Sequence, residues 1–402
     1  MKSPITLTKF IGCILLIVSC MIGAGILALP ILATQLGLIL TSGIIILFYI
    51  LMCISGLLTL EVSVKLPAFR NHFSSVAYHA FGRSGKYITV IAFGIAIYSS
   101  IAAYIAASPQ LLISLIKPYT SIKLSATQIS FLFTFILGSI VVMGMKHAER
   151  INRLIMLVKL GSLIIVITLL SHYISLKSFT SNLQISLLPQ GVLVVALAFC
   201  YQLLVPSLVN YVGKNNLKTL KKIIIIATTI TCLIYLLWAA TIVGFINSAA
   251  IGKVPIHNLS ELINVINQTP NAAFASILIQ AFLDVTLFAS FLAVSIAFTD
   301  FWVDCFELDW KLKGRIIAGL IAFIPPYLAV IFYKGLFINA LSISGYFGLL
   351  YALFLPAFAA FKTYTPNVEN LTGIAGGRKT RAIITLISLI IIIGLLLGLF
   401  LM

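Results

Sequence analysis

Acidic residues are scarce in this chain: nine Asp and Glu in 402 residues, with 9% of all positions charged. A soluble domain carries ~25% charged residues, so no water-facing surface can be built from this composition. Cysteine is sparse too. Its six copies (Cys13, Cys20, Cys53, Cys200, Cys232, Cys305) contain no CxxC pair, which argues against disulfides and against a metal site. The five histidines (His72, His79, His147, His172, His257) lack HExxH or any other ligand spacing and read as solvated loop residues. A membrane-embedded enzyme would need a catalytic group set that is missing. A channel would need a repeated polar face, and no segment shows one.

What the chain has in abundance is apolar residues, 61% of the total, with a mean hydropathy of +1.17. A hydrocarbon slab ~30 Å thick needs about 20 apolar residues as a helix, and such stretches recur from end to end. Helices are the required form because backbone groups facing lipid cannot stay unpaired. The expected spans are 9–33, 37–64, 86–116, 126–145, 154–172, 189–212, 222–247, 272–301, 315–333, 335–361 and 380–402, eleven in all. The leading apolar run is too long, and too interrupted by Gly and Pro, to be a cleaved signal.

The basic residues test this count. Of 26 Lys and Arg, only Lys117, Lys123, Lys177, Lys253 and Lys334 fall in the alternate set of loops, and Lys159 lies inside span five; the other twenty share one side. By the positive-inside rule that side is cytoplasmic, so the N-terminus is inside an inner (cytoplasmic) membrane and the C-terminus outside. The net charge of +17 then reflects topology and anionic lipid, and nucleic acid is not an expected partner. Nothing calls for an obligate protein partner. The run Asp300, Asp304, Glu307, Asp309 reads as a solvated cytoplasmic face.

Two spans carry helix breakers at mid-depth. Span one reads Ile22-Gly23-Ala24-Gly25-Ile26 with Pro30 beyond, and span six reads Phe199-Cys200-Tyr201-Gln202 with Pro206 beyond. Irregular backbone at that depth is tolerated only beside protein or a water-filled cavity. Spans one and six each open a set of five, residues 1–172 and 189–361, and an odd number inverts the second set. Span eleven, 380–402, follows. Inverted repeats with matching broken helices mark an alternating-access transporter with a midplane site. For Gly23 and Gly25 alone, close helix packing is the competing reading. The site candidates are therefore Ile22, Gly23, Ala24, Gly25, Ile26, Phe199, Cys200, Tyr201 and Gln202, with Tyr98 as an aromatic surface on span three.

The segment Ile22-Gly23-Ala24-Gly25-Ile26-Leu27-Ala28-Leu29-Pro30 resembles the first-helix motif of the hydroxy and aromatic amino acid permeases, within the amino acid, polyamine and organocation superfamily. Further segments agree: Leu60-Glu61-Val62, Tyr98 with Ala102-Ala103-Tyr104, Val205-Pro206-Ser207, Pro325-Pro326 and Gly376-Gly377-Arg378. The resemblance implies an all-α membrane protein of LeuT-like 5+5 inverted-repeat fold with spans one and six discontinuous, plus an eleventh span. It also implies proton-driven uptake of an aromatic amino acid, tyrosine or tryptophan, with no cofactor beyond the coupling proton. A serine or threonine permease of the same family is the alternative, because the Phe-Gly-Phe-His stretch common at the sixth-helix break is Phe199-Cys200-Tyr201-Gln202 here.

Three more expectations follow. Residues 256–268 show i, i+3, i+4, i+7 apolar spacing and read as a lid. Asp284, about 12 residues into span eight, is either a proton carrier or a structural partner. Lys159 either snorkels or, as the resemblance implies, places its amine near carbonyls around Ile22 and Gly23 and the hydroxyl of Ser290, in the manner of a coupling cation.

Overall fold

The computed structural model describes residues 5–23, 25–116, 124–171, 184–248, 273–333, 336–364 and 377–400, and every regular element among them is helical. Span one is two helices, a leading half Leu7–Met21 and a trailing half Gly25–Leu36. Span two is Leu38–Lys65, span three Phe73–Ile116, span four Ala126–Val142 and span five Met145–Leu170. Span six is again split, into Leu188–Ala198 and Val205–Val212 with a short 3-10 turn, Gln202–Leu204, between them. Spans seven, eight and nine are Leu217–Ser248, Ala273–Cys305 and Leu312–Phe332. Span ten joins Leu336–Leu349 to Leu355–Lys362 through a π turn, and span eleven is Gly377–Phe400. Among the described residues eight helices are long and apolar enough to cross a membrane, and Leu7–Met21 and Ala126–Val142 are shorter apolar ones.

Local chemistry sets the ends. The Thr6 hydroxyl accepts from Lys9 N, and Ser125 and Gln128 form a reciprocal capping box at the head of span four. Span five begins at Met145, nine residues before the expected 154, because a helix need not stop where lipid does and Lys146–Arg153 continues it beyond the apolar zone. Span three likewise starts at Phe73 rather than 86 and bends at Gly82, whose φ of 72° suits a residue without Cβ.

Prolines inside spans explain several contacts between spans. A proline has no N–H, so the carbonyl four residues earlier loses its helical donor. Pro30 orphans the Ile26 carbonyl, which receives Trp238 Nε1 of span seven at 2.9 Å. Pro109 orphans Ile105, whose oxygen accepts from Ser108 at 2.8 Å and Ser130 of span four at 3.3 Å. Pro325 orphans Ile321, which receives the Tyr98 hydroxyl of span three at 2.8 Å. Pro356 orphans Ala352, which receives the Ser55 hydroxyl of span two.

Some of the charge is buried as pairs. Arg315 bonds Asp300 at 2.6 Å and caps span four by donating to the Val141 and Val142 carbonyls, each at 3.1 Å. Asp304 is also buried and accepts from the backbone and hydroxyl of Ser75. The acidic run is thus only partly a solvated face: Asp300 and Asp304 are interior groups, while Asp309 and Glu307, the latter joined to Arg70 at 2.7 Å, are exposed. His72 departs from the solvated reading too. It is 1% exposed, edge-on to Phe73, Phe93 and Phe301, and burial pushes its pKa down to about 3.

Candidate functional site

The two breaks meet. At the first, Ile22 leaves the helix with ψ of 71°, and Gly23 N turns back to Met21 O at 2.7 Å. The Ile22 carbonyl is thereby freed from the helical ladder. It accepts from the amine of Lys159, which is wholly buried on span five, and from Ser290 Oγ of span eight at 3.4 Å. Ser290 also reaches Ser19 O at 3.3 Å. Lys159 therefore turns inward rather than snorkelling, and three spans converge on one backbone turn.

At the second break, Phe199 and Cys200 close the leading half with tight bonds to Ala196 O and Leu197 O, and Tyr201 leaves helix geometry with φ of −127° and ψ of −5°. The backbones of the two breaks nearly touch. A Cβ on Gly25 would lie 2.7 Å from Ala198 Cβ and 2.9 Å from its Cα, so only glycine permits this approach. Tyr235 of span seven binds both at once: its hydroxyl is 2.6 Å from Met21 O and 2.9 Å from Ala198 O, the last carbonyls of the two leading halves.

Between the breaks lies a small cavity of about 40 Å³. Its walls include Gly23 and Gly25 from the first break, Ala198 and Cys200 from the second, and Ser100 and Tyr104 from span three. The lining mixes thiol, hydroxyl and aromatic surface with bare backbone.

Of the residues expected from sequence, Gly23, Gly25 and Cys200 line this cavity, while Ile22 and Ile26 are buried in the turn beside it. Lys159 and Ser290 are gathered on the Ile22 carbonyl. Four others point elsewhere. Tyr98 serves the Ile321 carbonyl, and Phe199 packs edge-on against Tyr235 at 5.1 Å. Tyr201 and Gln202 both donate to the Met52 carbonyl of span two at 3.2 Å, and Tyr201 fits there because Gly56 has no side chain. Asp284 is 1% exposed but stands six residues, about 9 Å, along span eight from Ser290, and does not line the cavity. Ala24 and the stretch 256–268 lie outside the described residues. Sequence reasoning missed Tyr235 and Trp238; their i, i+3 spacing in an aliphatic span was the available signal.

A helical membrane bundle in which two broken spans wall a buried polar cavity defines the class of multi-pass transport proteins with discontinuous helices. Residues 6–395 match the tryptophan/tyrosine permease family, and the chain belongs to it. Tyrosine-specific transport system 1 of Haemophilus influenzae is 27% identical over 96% of both chains. Tyrosine-specific transport system 2 of the same organism is 26% identical over 96% of this chain and 95% of its own. The crystal structure of MhsT in complex with L-phenylalanine superposes with a TM-score of 0.68 at 14% identity, covering 96% of this chain and 98% of that one. The fold is accordingly LeuT-like, with a 5+5 inverted repeat, discontinuous spans one and six, and an eleventh span.

Proposed function

We propose that the protein is a proton-coupled symporter that takes up an aromatic amino acid, tyrosine foremost, by alternating access across an inner membrane. The observation that carries this reading is the shared turn at Ile22. One face of the turn borders the cavity, and its carbonyl holds the Lys159 amine. An amine that gains or loses its proton at that carbonyl changes what holds spans one, five and eight together, and so links proton movement to the shape of the cavity. The substrate carboxylate is assigned to the amides and dipole at the start of the Gly25–Leu36 half-helix, and the ammonium to carbonyls ending the leading halves. Tyrosine ranks first because the two relatives named above are tyrosine-specific systems and the cavity offers Tyr104 as a stacking surface. Orientation rests on the basic loops, which place the N-terminus inside.

The test is uptake of labelled tyrosine into proteoliposomes under an imposed proton gradient, with each standard amino acid as competitor. Uptake driven by the gradient and blocked by aromatic competitors is expected. Uptake indifferent to the gradient removes proton coupling, and competition by serine or threonine alone removes the aromatic assignment.

A further inference from the structure

Tyr235 belongs to neither broken span, is wholly buried, and touches the last carbonyl of each leading half-helix. A phenol has one hydrogen to donate. Two acceptors at 2.6 and 2.9 Å compete for it, so at any moment one of them keeps a lone pair without the phenol's hydrogen. Met21 and Ala198, which own these carbonyls, both line the cavity, whereas Tyr235 stands behind them. The Met21 oxygen also accepts from Gly23 N at 2.7 Å, which turns it at the break rather than along the helix. Packing fixes the phenol from the other side: its ring is edge-on to Phe199, and Trp238, one turn further along span seven, ties down Ile26 beyond the break.

We propose that Tyr235 is a positioning residue for the substrate's ammonium group. Its one hydroxyl hydrogen holds the Met21 and Ala198 carbonyls at a common point on the cavity wall, and an ammonium with three N–H donors completes the set that one phenol cannot. This role rests on the reading that an amino acid binds between the breaks. It also explains why span seven, which supplies no wall of the cavity, carries a buried phenol at this height. Without the hydroxyl, the two carbonyl ends are no longer held to one another, and the grip on a cation weakens while contacts to the rest of the ligand stay.

The experiment compares the parent with Tyr235→Phe, which keeps the ring and its packing on Phe199, in proteoliposome uptake and in detergent melting. The KM for tyrosine is expected to rise about tenfold, as a carbonyl-to-ammonium hydrogen bond is lost with its positioning, with Vmax unchanged and a melting midpoint lowered only as far as two carbonyls without a donor require. Inhibition by 3-(4-hydroxyphenyl)lactate, which has a hydroxyl where tyrosine has its ammonium, is expected to change less than twofold. A fall in Vmax or melting midpoint with KM unmoved, or a parallel loss for tyrosine and the lactate, overturns the assignment. Should Tyr235→Phe fail to insert, 3-fluorotyrosine placed at this position alters donor strength at nearly constant shape. It should change the ratio of tyrosine to lactate affinity, and an unchanged ratio overturns the assignment. A parent that takes up no tyrosine instead overturns the functional reading itself, which separates the two failures.

Discussion

Arg381 of span eleven and Glu61 of span two form a 2.6 Å ion pair across 320 residues of sequence, with neither side chain more than 1% exposed. Lys65 holds the other Glu61 oxygen at 3.0 Å, and Arg381 also donates to Gly377 O at 2.8 Å. A buried pair adds little net stability, but removing one member strands the other. Arg381→Met should therefore destabilise the protein by about 3 kcal/mol, the low end of the ~3–5 kcal/mol expected, because Lys65 remains. Adding Glu61→Gln to it should restore most of the loss. Melting in detergent reads both, and additive losses would show that the two residues act separately.

Lys159→Ala removes the amine from the Ile22 carbonyl and leaves the cavity walls in place. Substrate binding and exchange should persist, while accumulation of tyrosine against its gradient should fall to the level seen without a proton gradient. A variant that concentrates tyrosine like the parent would remove Lys159 from the proposed coupling.

Gly25→Val should abolish uptake at normal insertion levels, because the new side chain meets Ala198 where a Cβ alone is already at 2.7 Å. Gly23→Ala should be milder: its Cβ meets Ser290 Oγ at 3.2 Å and the Tyr104 hydroxyl at 3.5 Å, and side chains yield more easily than backbone. Equal effects of the two would contradict the close approach of the breaks.

Trp238→Phe should cost about 1–3 kcal/mol by leaving the Ile26 carbonyl without a donor. Pro30→Ala restores a backbone N–H four residues on, so the double variant should be more stable than the sum of the singles predicts. Simple additivity in a double-mutant cycle would mean the indole and the proline are unrelated.

His72 keeps its imidazole neutral in the folded protein, with a pKa near 3 against 6.5 when exposed. The unfolded chain therefore takes up a proton first as pH falls, and stability present above about pH 6.5 is lost progressively toward pH 3. The loss from this residue should reach about 2 kcal/mol by pH 5. His72→Phe should flatten that part of the melting profile; a profile as steep as the parent's would clear His72 of the effect.

Both breaks were legible because Gly23, Gly25 and the residues around Cys200 interrupt otherwise uniform apolar runs, and interruption is costly in lipid. Lys159 was legible for the same reason, as a lone cation among Met156, Leu157, Val158 and Leu160. What could not be read was rotation about helix axes. Tyr98, Tyr201 and Gln202 are polar enough to need a partner, yet nothing in one sequence says that the partner is Ile321 or Met52 rather than a substrate. Asp300 was misjudged because its nearness to Arg315 depends on how spans eight and nine pack, not on their spacing. Tyr235 was hidden by the same limit, since its partners are backbone oxygens that carry no side-chain signature.

The orphaned carbonyls impose an order on biosynthesis. Pro109 of span three is served by its own span and by span four, so that hairpin can complete itself soon after it is made. Pro30 of span one depends on Trp238, some 200 residues later, and Pro325 and Pro356 look back to Tyr98 and Ser55 on spans already in place. The first span must therefore wait in the bilayer with an unsatisfied carbonyl at the break until the seventh arrives. A nascent chain arrested after span five should hold span one loosely, open to water or to a chaperoning helix. The two halves of the repeat, though each has five spans, do not mature independently.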